Sequence, residues 1–275
     1  MKLPFAKMQA LGNDFVVLDG VSAPLTLTAA QCRKLGDRRF GVGCDQILVV
    51  DPAPDAQADF GYRIFNCDGS EVGQCGNGAR CLARFVERQG LSTARAIQVA
   101  TRTTRMNLEL LEQDWVRAEL SRPEFQPARI PLDVPAQAER YTLDSTVGMV
   151  SGGAVSVGNP HFVIEVDDVA RAPVQQWGEA LTRHAAFPEG VNVGFVERVA
   201  ADHLRLRVFE RGVGETPACG SGACAAAVIQ RVWGHTEARV RVDLPGGQLR
   251  IAWDEGQNVF MEGPATWVFE GEIEL

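Results

Sequence analysis

The sequence predicts an α+β fold of two pseudo-symmetric homologous domains, each a curved, mostly antiparallel sheet wrapped around a central helix. Three observations predict it: motifs that recur in the same order, many short strand-like segments, and two helices that each follow a cysteine in a glycine-rich turn. We expect one domain to comprise residues 1–120 with 265–275 and the other residues 121–264, with a site in the cleft between them. The proline-rich segment 122–135 is expected to cross between them.

The repeat is defined by three matched features. Gly12-Asn13 is matched by Gly158-Asn159, and each asparagine is followed 33 residues later by another amide, Gln46 or Asn192. Each half then reaches a cysteine in a glycine-rich turn, Cys75-Gly76-Asn77-Gly78-Ala79 or Cys219-Gly220-Ser221-Gly222-Ala223. A duplicated framework of this length predicts that the two cysteines have related roles.

Helices are predicted after both cysteine turns, at 77–89 and 221–233, because both segments are rich in small and apolar residues and end at a glycine. Peripheral helices are predicted at 29–38 and 174–184. A hairpin turn is predicted at Pro245-Gly246-Gly247. Alternating and β-branched residues predict strands at 46–50, 62–65, 97–100, 106–111, 153–157, 161–166, 194–199, 204–209, 240–242 and 249–251.

Composition narrows the class of protein. The chain has 275 residues, 45% of them hydrophobic, and a net charge of −8 without any Lys/Arg-rich run. This pattern argues against nucleic acid or an anionic membrane as a partner. The start of the chain lacks a signal-like segment, and no apolar run approaches the ~20 residues of a membrane helix. We therefore expect a cytoplasmic protein.

Seven cysteines without a Cys-x-x-Cys pair predict neither a disulfide framework nor a zinc site, so no metal is expected. Several other residues of chemical interest are interpreted as structural. Four cysteines are interpreted as structural thiols, three aspartates as turn or cap groups, and three histidines as surface or packing residues: Cys32, Cys44, Cys81, Cys224, Asp14, Asp45, Asp68, His184, His203 and His235.

The two remaining motif cysteines, Cys75 and Cys219, precede helices, whose N-terminal N–H groups and dipole stabilise a thiolate and attract a carboxylate. Inversion of a carbon centre needs a base on one face and an acid on the other, which one thiolate and one thiol supply. The three lysines of the chain offer no convincing pyridoxal phosphate site. The sequence therefore predicts a cofactor-independent amino-acid racemase or epimerase.

The motifs closely resemble the diaminopimelate epimerase family over essentially the whole chain. The segments that carry the resemblance are 7–15, 66–71, 75–81, 158–162, 210–212 and 215–222. The resemblance implies the family fold and conversion of LL-2,6-diaminopimelate to the meso form, which supplies lysine and peptidoglycan synthesis. It further implies two catalytic cysteines, no cofactor or metal, and a homodimer.

Residue roles follow from the resemblance. Cys75 and Cys219 are implied as proton donor and acceptor, and Glu210 and His161 as groups that tune thiol protonation. Backbone N–H groups of four residues are implied as the carboxylate cradle: Gly76, Asn77, Gly220 and Ser221. The other implied substrate-binding residues are Asn13, Gln46, Asn66, Asn159, Asn192, Glu210 and Arg211; Arg211 suits the distal carboxylate and Glu210 the distal ammonium.

Two positions depart from the family pattern: Cys67 stands where alanine is frequent, and Phe269 where a tyrosine involved in dimer contacts is frequent. Cys67 is interpreted as a passive small residue. Three alternative functions stay open: a proline or hydroxyproline racemase, a dithiol redox protein, and a non-catalytic binding module with the same fold, against which the presence of both motif cysteines argues. Glu210-Arg211 argues against the first because proline has no second charged end. The sequence leaves open which cysteine is the resting thiolate.

Overall fold

The computed structural model describes residues 2–73 and 75–275. The strands, in chain order, are β1 (Lys2–Ala10), β2 (Asn13–Asp19), β3 (Gln46–Pro52), β4 (Phe60–Asn66), β5 (Glu71–Val72), β6 (Ala96–Ala100), β7 (Arg105–Leu110), β8 (Trp115–Leu120), β9 (Tyr141–Ser145), β10 (Gly148–Ser156), β11 (Pro160–Glu165), β12 (Asn192–Ala200), β13 (His203–Glu210), β14 (Gly214–Thr216), β15 (Arg239–Leu244), β16 (Gly247–Ala252), β17 (Val259–Pro264) and β18 (Thr266–Glu274). The α-helices are α1 (Ala29–Gly36), α2 (Gly76–Arg88), α3 (Val174–Thr182) and α4 (Gly220–Val232).

The chain divides into two compact units, the first formed by Met1–Glu119 with Glu262–Leu275 and the second by Leu120–Met261. In the first unit, β1 pairs antiparallel with β18 and β2, and β2 pairs parallel with β3. β4 pairs antiparallel with β3 and β5 and parallel with β6, and β7 joins β6 to β8 in antiparallel pairs. The C-terminal strand therefore belongs to the first unit.

The second unit has the same succession of pairings. β10 pairs antiparallel with β9 and β11, β11 pairs parallel with β12, and β12 pairs antiparallel with β13. β13 pairs antiparallel with β14 and parallel with β15, which pairs antiparallel with β16. The register also repeats, because Phe15 lies opposite Gln46 as His161 lies opposite Asn192. The predicted α+β fold with a repeated, mostly antiparallel sheet is confirmed.

Helices cover both faces of the central strands. Val16 and Ile47 cluster with Cys32 and Leu35 of α1 on one face of the first unit. On the other face, α2 packs against β1, β2, β3 and β7. In the second unit, α3 packs against β12, β13 and β14, and α4 against β10 to β13, β15 and β16. Burial on both faces accounts for the uninterrupted apolar runs of β2 and β3.

The predicted helices are confirmed, with small differences at their ends. α2 and α4 are followed by Gly90 and Gly234 in the left-handed conformation, φ 67° and 73°, as expected of glycine stops. α1 ends earlier than expected because Asp37 is extended and its carboxylate accepts the N–H groups of Arg39 and Phe40. Among residues 2–73 and 75–275, no helix has the length and apolarity to cross a membrane.

The proline-rich segment at the start of the second unit is largely irregular. It contains a short 3-10 helix, Pro127–Arg129, and an isolated bridge between Glu124 and Ser156. The carboxylate of Glu124 also accepts the N–H groups of Phe125 and Gln126. These bonds hold the segment against β10, within the second unit.

Candidate active site

Cys75 is the N-cap residue of α2. Its backbone is extended, and its Sγ accepts a hydrogen bond from the backbone N–H of Gly78 at 3.3 Å. The hydroxyl of Tyr62 on β4 donates to the Cys75 carbonyl at 3.2 Å. The thiol is half-buried and lies at the N-terminus of the helix, as the sequence predicts.

Cys219 is the N-cap residue of α4 and is buried, with 4% of its surface exposed. Its Sγ lies 3.6 Å from the hydroxyl oxygen of Ser221, and the backbone N–H of Gly222 also contacts it. The two motif cysteines thus begin equivalent helices of the repeat, but their surroundings differ.

Glycine is required at the fourth position of each cysteine motif. A Cβ on Gly78 would lie 2.2 Å from the Tyr62 hydroxyl and 3.1 Å from a Leu48 methyl. A Cβ on Gly222 would lie 2.8 Å from a Val208 methyl. In each unit the first turn of the helix therefore packs directly on the sheet, which positions the cysteine.

In the first unit, hydrogen bonds join two pairs of predicted substrate-binding residues. Asn77 Nδ2 donates to Asn13 Oδ1 at 3.3 Å, and the guanidinium of buried Arg80 donates to Asn77 Oδ1 at 2.9 Å. Gln46 Nε2 donates to Asn66 Oδ1 at 3.1 Å. The predicted amides of this unit therefore form pairs along the ends of β2, β3, β4 and α2.

In the second unit, three predicted residues form a compact triangle. Asn159 Nδ2 donates to Ser221 Oγ at 3.3 Å, and His161 Nε2 lies 3.1 Å from Asn159 Oδ1 and 3.0 Å from Ser221 Oγ. The triangle connects the start of β11 with the N-terminus of α4. Ser221 in turn contacts the Cys219 sulfur, so His161 is connected to the thiol through Ser221.

The hydrogen-bond partners of His161 and Ser221 determine where the protons of this triangle lie. Burial and then the positive charge of Arg211 lower the pKa of His161 to about 3, so the ring is neutral near pH 7. A carbonyl oxygen only accepts, so the nitrogen facing Asn159 Oδ1 must carry the ring proton. Ser221 Oγ accepts from Asn159 Nδ2, which leaves the hydroxyl proton of Ser221 available to the Cys219 sulfur.

Glu210, Arg211 and Asn192 lie together at the end of β13. Thr216 donates to Glu210 Oε1 at 2.5 Å, and the backbone N–H of Arg211 donates to Asn192 Oδ1 at 2.9 Å. The Arg211 guanidinium donates to the backbone carbonyl of Glu189. These contacts orient a carboxylate and a guanidinium from adjacent positions of one chain segment.

The pKa of the Cys219 thiol corrects one expectation. Burial, followed by the negative charge of Glu210, raises its pKa well above the usual range, although the hydrogen bond from Ser221 opposes the shift. The expectation that a helix N-terminus lowers a thiol pKa is therefore wrong at Cys219. Loss of solvation outweighs the helix end at a fully buried thiol, so Cys219 is protonated.

The chain is similar to known proteins over nearly its whole length. The family model described as diaminopimelate epimerase matches residues 5–125 and 153–268. A diaminopimelate epimerase of Alkalilimnicola ehrlichii is 50% identical over 278 residues, 100% of both chains. That of Halorhodospira halophila is 52% identical over 272 residues, 98% of this chain and 95% of the relative.

This chain belongs to the diaminopimelate epimerase family. The resemblance seen in the motifs is thereby confirmed, as is the expectation of an isomerase. Among solved structures, a phenazine biosynthesis protein of the PhzF family from Bacillus anthracis has a TM-score of 0.69 at 15% identity, with 100% of both chains covered. A hydroxyproline epimerase from Agrobacterium vitis has a TM-score of 0.67 at 14% identity, covering 99% of this chain and 92% of that one. These two share the diaminopimelate epimerase fold.

Cys67 and Phe269, the two departures from the diaminopimelate epimerase pattern, both lie in the first unit. Cys67 Sγ donates to the Cys44 carbonyl at 3.1 Å, and burial raises the pKa of its thiol, which suits a passive residue. Phe269 on β18 is 47% exposed and packs edge-on against Phe5, with ring centroids 6.0 Å apart. Its ring retains apolar packing where the family tyrosine would offer a hydroxyl.

Sequence reasoning missed the contacts by which two aspartates support the candidate site residues. Asp14 and Asp45 are turn-capping groups, as predicted, since each side chain accepts the backbone N–H of the other residue. Asp45 also accepts from Asn13 Nδ2 at 2.9 Å, a contact that capping alone does not predict. The sequence offered one indication of these contacts, which is adjacency to predicted site residues. Asp14 directly follows Asn13, and Asp45 directly precedes Gln46.

Proposed function

We propose that this protein interconverts LL- and meso-2,6-diaminopimelate by moving a proton at Cα, with Cys75 and Cys219 as the two acid–base groups and no cofactor. The observation that carries the proposal is the pair of cysteines at equivalent helix N-termini of a duplicated fold. Diaminopimelate epimerases at 50% and 52% identity support the choice of substrate.

The two thiols are suited to complementary roles. Because burial and Glu210 keep Cys219 protonated, we assign Cys219 as the resting acid and Cys75 as the base for one substrate stereoisomer. The Cys75 thiolate removes the Cα proton, and the Cys219 thiol delivers its proton to the opposite face. The enzyme is left with a Cys75 thiol and a Cys219 thiolate, which is the state that catalyses the reverse reaction.

The helix ends provide the electrostatic part of catalysis. In the proposed complex, backbone N–H groups at the start of α2 and α4 bind the carboxylate next to the reacting Cα. Negative charge spreads into that carboxylate as the proton leaves, so preorganised N–H donors stabilise the transition state more than the ground state. Ser221 contributes in the same direction, because its hydroxyl donates to the Cys219 sulfur as the thiolate forms.

Recognition of the distal end of the substrate is assigned to Arg211 and Asn192. The guanidinium of Arg211 is anchored by the Glu189 carbonyl and offers further donors to a carboxylate. Asn192 holds the Arg211 backbone. The charge of Glu210 raises the pKa of the Cys219 thiol, so we assign control of thiol protonation as the main role of Glu210. Binding of the distal ammonium group is its second role.

The biological setting is proposed from the family. A meso-diaminopimelate product would supply lysine and peptidoglycan precursors, and the reaction is expected in the cytoplasm. A homodimer is proposed as well, and the exposed apolar residues Val268 and Phe269 of β18 are its candidate contacts.

One experiment tests the proposed function directly. The protein is incubated under reducing conditions in deuterated water with LL-diaminopimelate or, separately, L-proline, without added cofactor. Deuterium at Cα and formation of the meso isomer from diaminopimelate alone are expected. Exchange with proline alone would favour a proline racemase, and no exchange with either substrate would refute a Cα epimerase.

A further inference from the structure

Asn13 and Asn159 occupy the same position of the repeat, but their amide groups point in opposite directions. Asn13 uses Nδ2 to donate to Asp45 at 2.9 Å and turns Oδ1 toward Asn77 of α2. Asn159 turns Oδ1 toward His161 and uses Nδ2 to donate to Ser221 of α4. The first unit thus presents an acceptor toward its helix end, and the second unit presents a donor.

The chemistry of the anchoring side chain explains the difference. A neutral imidazole with its proton on Nε2 donates, so it attracts the carbonyl oxygen of Asn159. The repeat position of His161 is Phe15 in the first unit, and a phenylalanine has no polar group with which to orient an amide. Asp45 supplies the anchor instead, and a carboxylate only accepts, so it attracts the amino group of Asn13.

Asp45 is itself held in place. Its Oδ1 accepts from Arg38 Nη2 at 2.8 Å, and its Oδ2 accepts from the backbone N–H of Asp14 at 3.1 Å. The Asp14 carboxylate accepts both terminal nitrogens of Arg38 and the ammonium of Lys7. Burial alone would raise the pKa of Asp14, but these cations lower it to about 2, so the Asp14 carboxylate stays ionised in the neutral range.

We propose that Asp45, held by Arg38 and Asp14, is a positioning residue that sets the orientation of Asn13 for the reaction. The inference rests on the proposed epimerase function. With Asp45 in place, Asn13 presents an oxygen beside the N-terminus of α2. That oxygen suits the ammonium group of an amino-acid substrate and repels its carboxylate. The carboxylate is therefore directed to the backbone N–H groups at the start of the helix.

The test compares Asp45→Ala with Asp55→Ala. Asp55 is a matched control, since it is 45% exposed against 46% for Asp45 and pairs with Arg105 at 2.6 Å as Asp45 pairs with Arg38 at 2.8 Å. Loss of a charged hydrogen bond predicts that Asp45→Ala lowers kcat/KM for LL-diaminopimelate about tenfold to a hundredfold, with unchanged activity in the control. Asp45→Asn should fall between, because its amide oxygen still accepts. Equal activity of both alanine variants would overturn the proposal.

A double variant separates positioning from a general structural role. If Asp45 acts through Asn13, Asp45→Ala should lower kcat/KM by less than about twofold further in an Asn13→Ala background. Multiplicative losses would overturn the proposal. Thermal unfolding shows whether each variant is folded. If Asp45→Ala does not fold, Asp45→Asn replaces it in the cycle.

A second measurement does not depend on turnover. The side-chain amide signals of Asn13 in a ¹H–¹⁵N spectrum are assigned by their loss in Asn13→Ala. They should shift in Asp45→Ala and stay in place in Asp55→Ala. Unmoved signals in Asp45→Ala would overturn the anchoring role. A wild-type protein without epimerase activity would instead refute the proposed function, and the spectra would still decide whether Asp45 orients Asn13.

Discussion

Asn159 donates a hydrogen bond from Nδ2 to the hydroxyl of Ser221 at 3.3 Å. At the same two positions of the first repeat, the bond runs the other way, from Asn77 Nδ2 to Asn13 Oδ1, also at 3.3 Å. The duplication has preserved the place of the bond and reversed its direction. The two units therefore share a fold but differ in the direction of a hydrogen bond at the start of the motif helix.

Each motif cysteine is expected to be indispensable for inversion. Cys75→Ala and Cys219→Ala remove one proton-transfer group each, which predicts a loss of about 10²- to 10⁴-fold in the rate of LL-to-meso conversion. Conversion is followed by chiral chromatography of diaminopimelate. Cys67→Ala is the matched control from the first unit and should retain activity. Inversion at the wild-type rate in either cysteine variant would refute the two-base assignment.

Glu210→Gln is expected to lower the pKa of the Cys219 thiol. Burial and the Glu210 carboxylate raise this pKa, and the amide variant removes the second contribution. The pH dependence of alkylation at Cys219, measured by mass spectrometry in a Cys75→Ala background, should move to lower pH in Glu210→Gln. Glu215→Gln, which removes the carboxylate paired with Arg207, is the control. A shift to higher pH would contradict the assigned influence of Glu210.

His161 should make stability depend on pH. Its folded pKa of about 3 is below the ordinary value of 6.5, so the unfolded chain binds a proton that the folded protein excludes. The stabilisation is complete above pH 6.5 and is lost as the pH falls toward 3 at about 1.4 kcal/mol per pH unit. Urea unfolding at about pH 7.5 and 5 should show wild type losing about 2 kcal/mol more than His161→Gln. An equal loss of unfolding free energy in wild type and His161→Gln would argue against a buried neutral imidazole.

Alanine at Gly78 or Gly222 should destabilise the fold despite its better helix propensity. The added Cβ would lie 2.2 Å from the Tyr62 hydroxyl or 2.8 Å from a Val208 methyl, and such overpacking costs about 1–3 kcal/mol. Gly194→Ala is the control, since its Cβ would meet nothing closer than 3.5 Å. Urea unfolding measures the difference. Unchanged stability of Gly78→Ala and Gly222→Ala would mean that the helix starts have room to shift.

Local features of the fold were predictable because they depend on neighbours in sequence. The apolar helices after Cys75 and Cys219 and their glycine stops follow from composition and from the conformational freedom of glycine. The C-terminal end of α1 was less predictable, because the Asp37 carboxylate terminates the helix by accepting the backbone N–H groups of Arg39 and Phe40. Very short strands such as β5 gain their structure from pairing with β4, which periodicity does not reveal.

The sequence by itself determined the duplication, the family and the two cysteines, because a repeated motif with fixed spacing is a linear property of the chain. Only the tertiary structure decided how the two cysteines differ. Burial and Glu210 keep the Cys219 thiol protonated, and Asp45 and His161 turn equivalent asparagines in opposite directions. Solvation and hydrogen-bond direction depend on which atoms meet in space, and residues far apart in sequence supply those atoms.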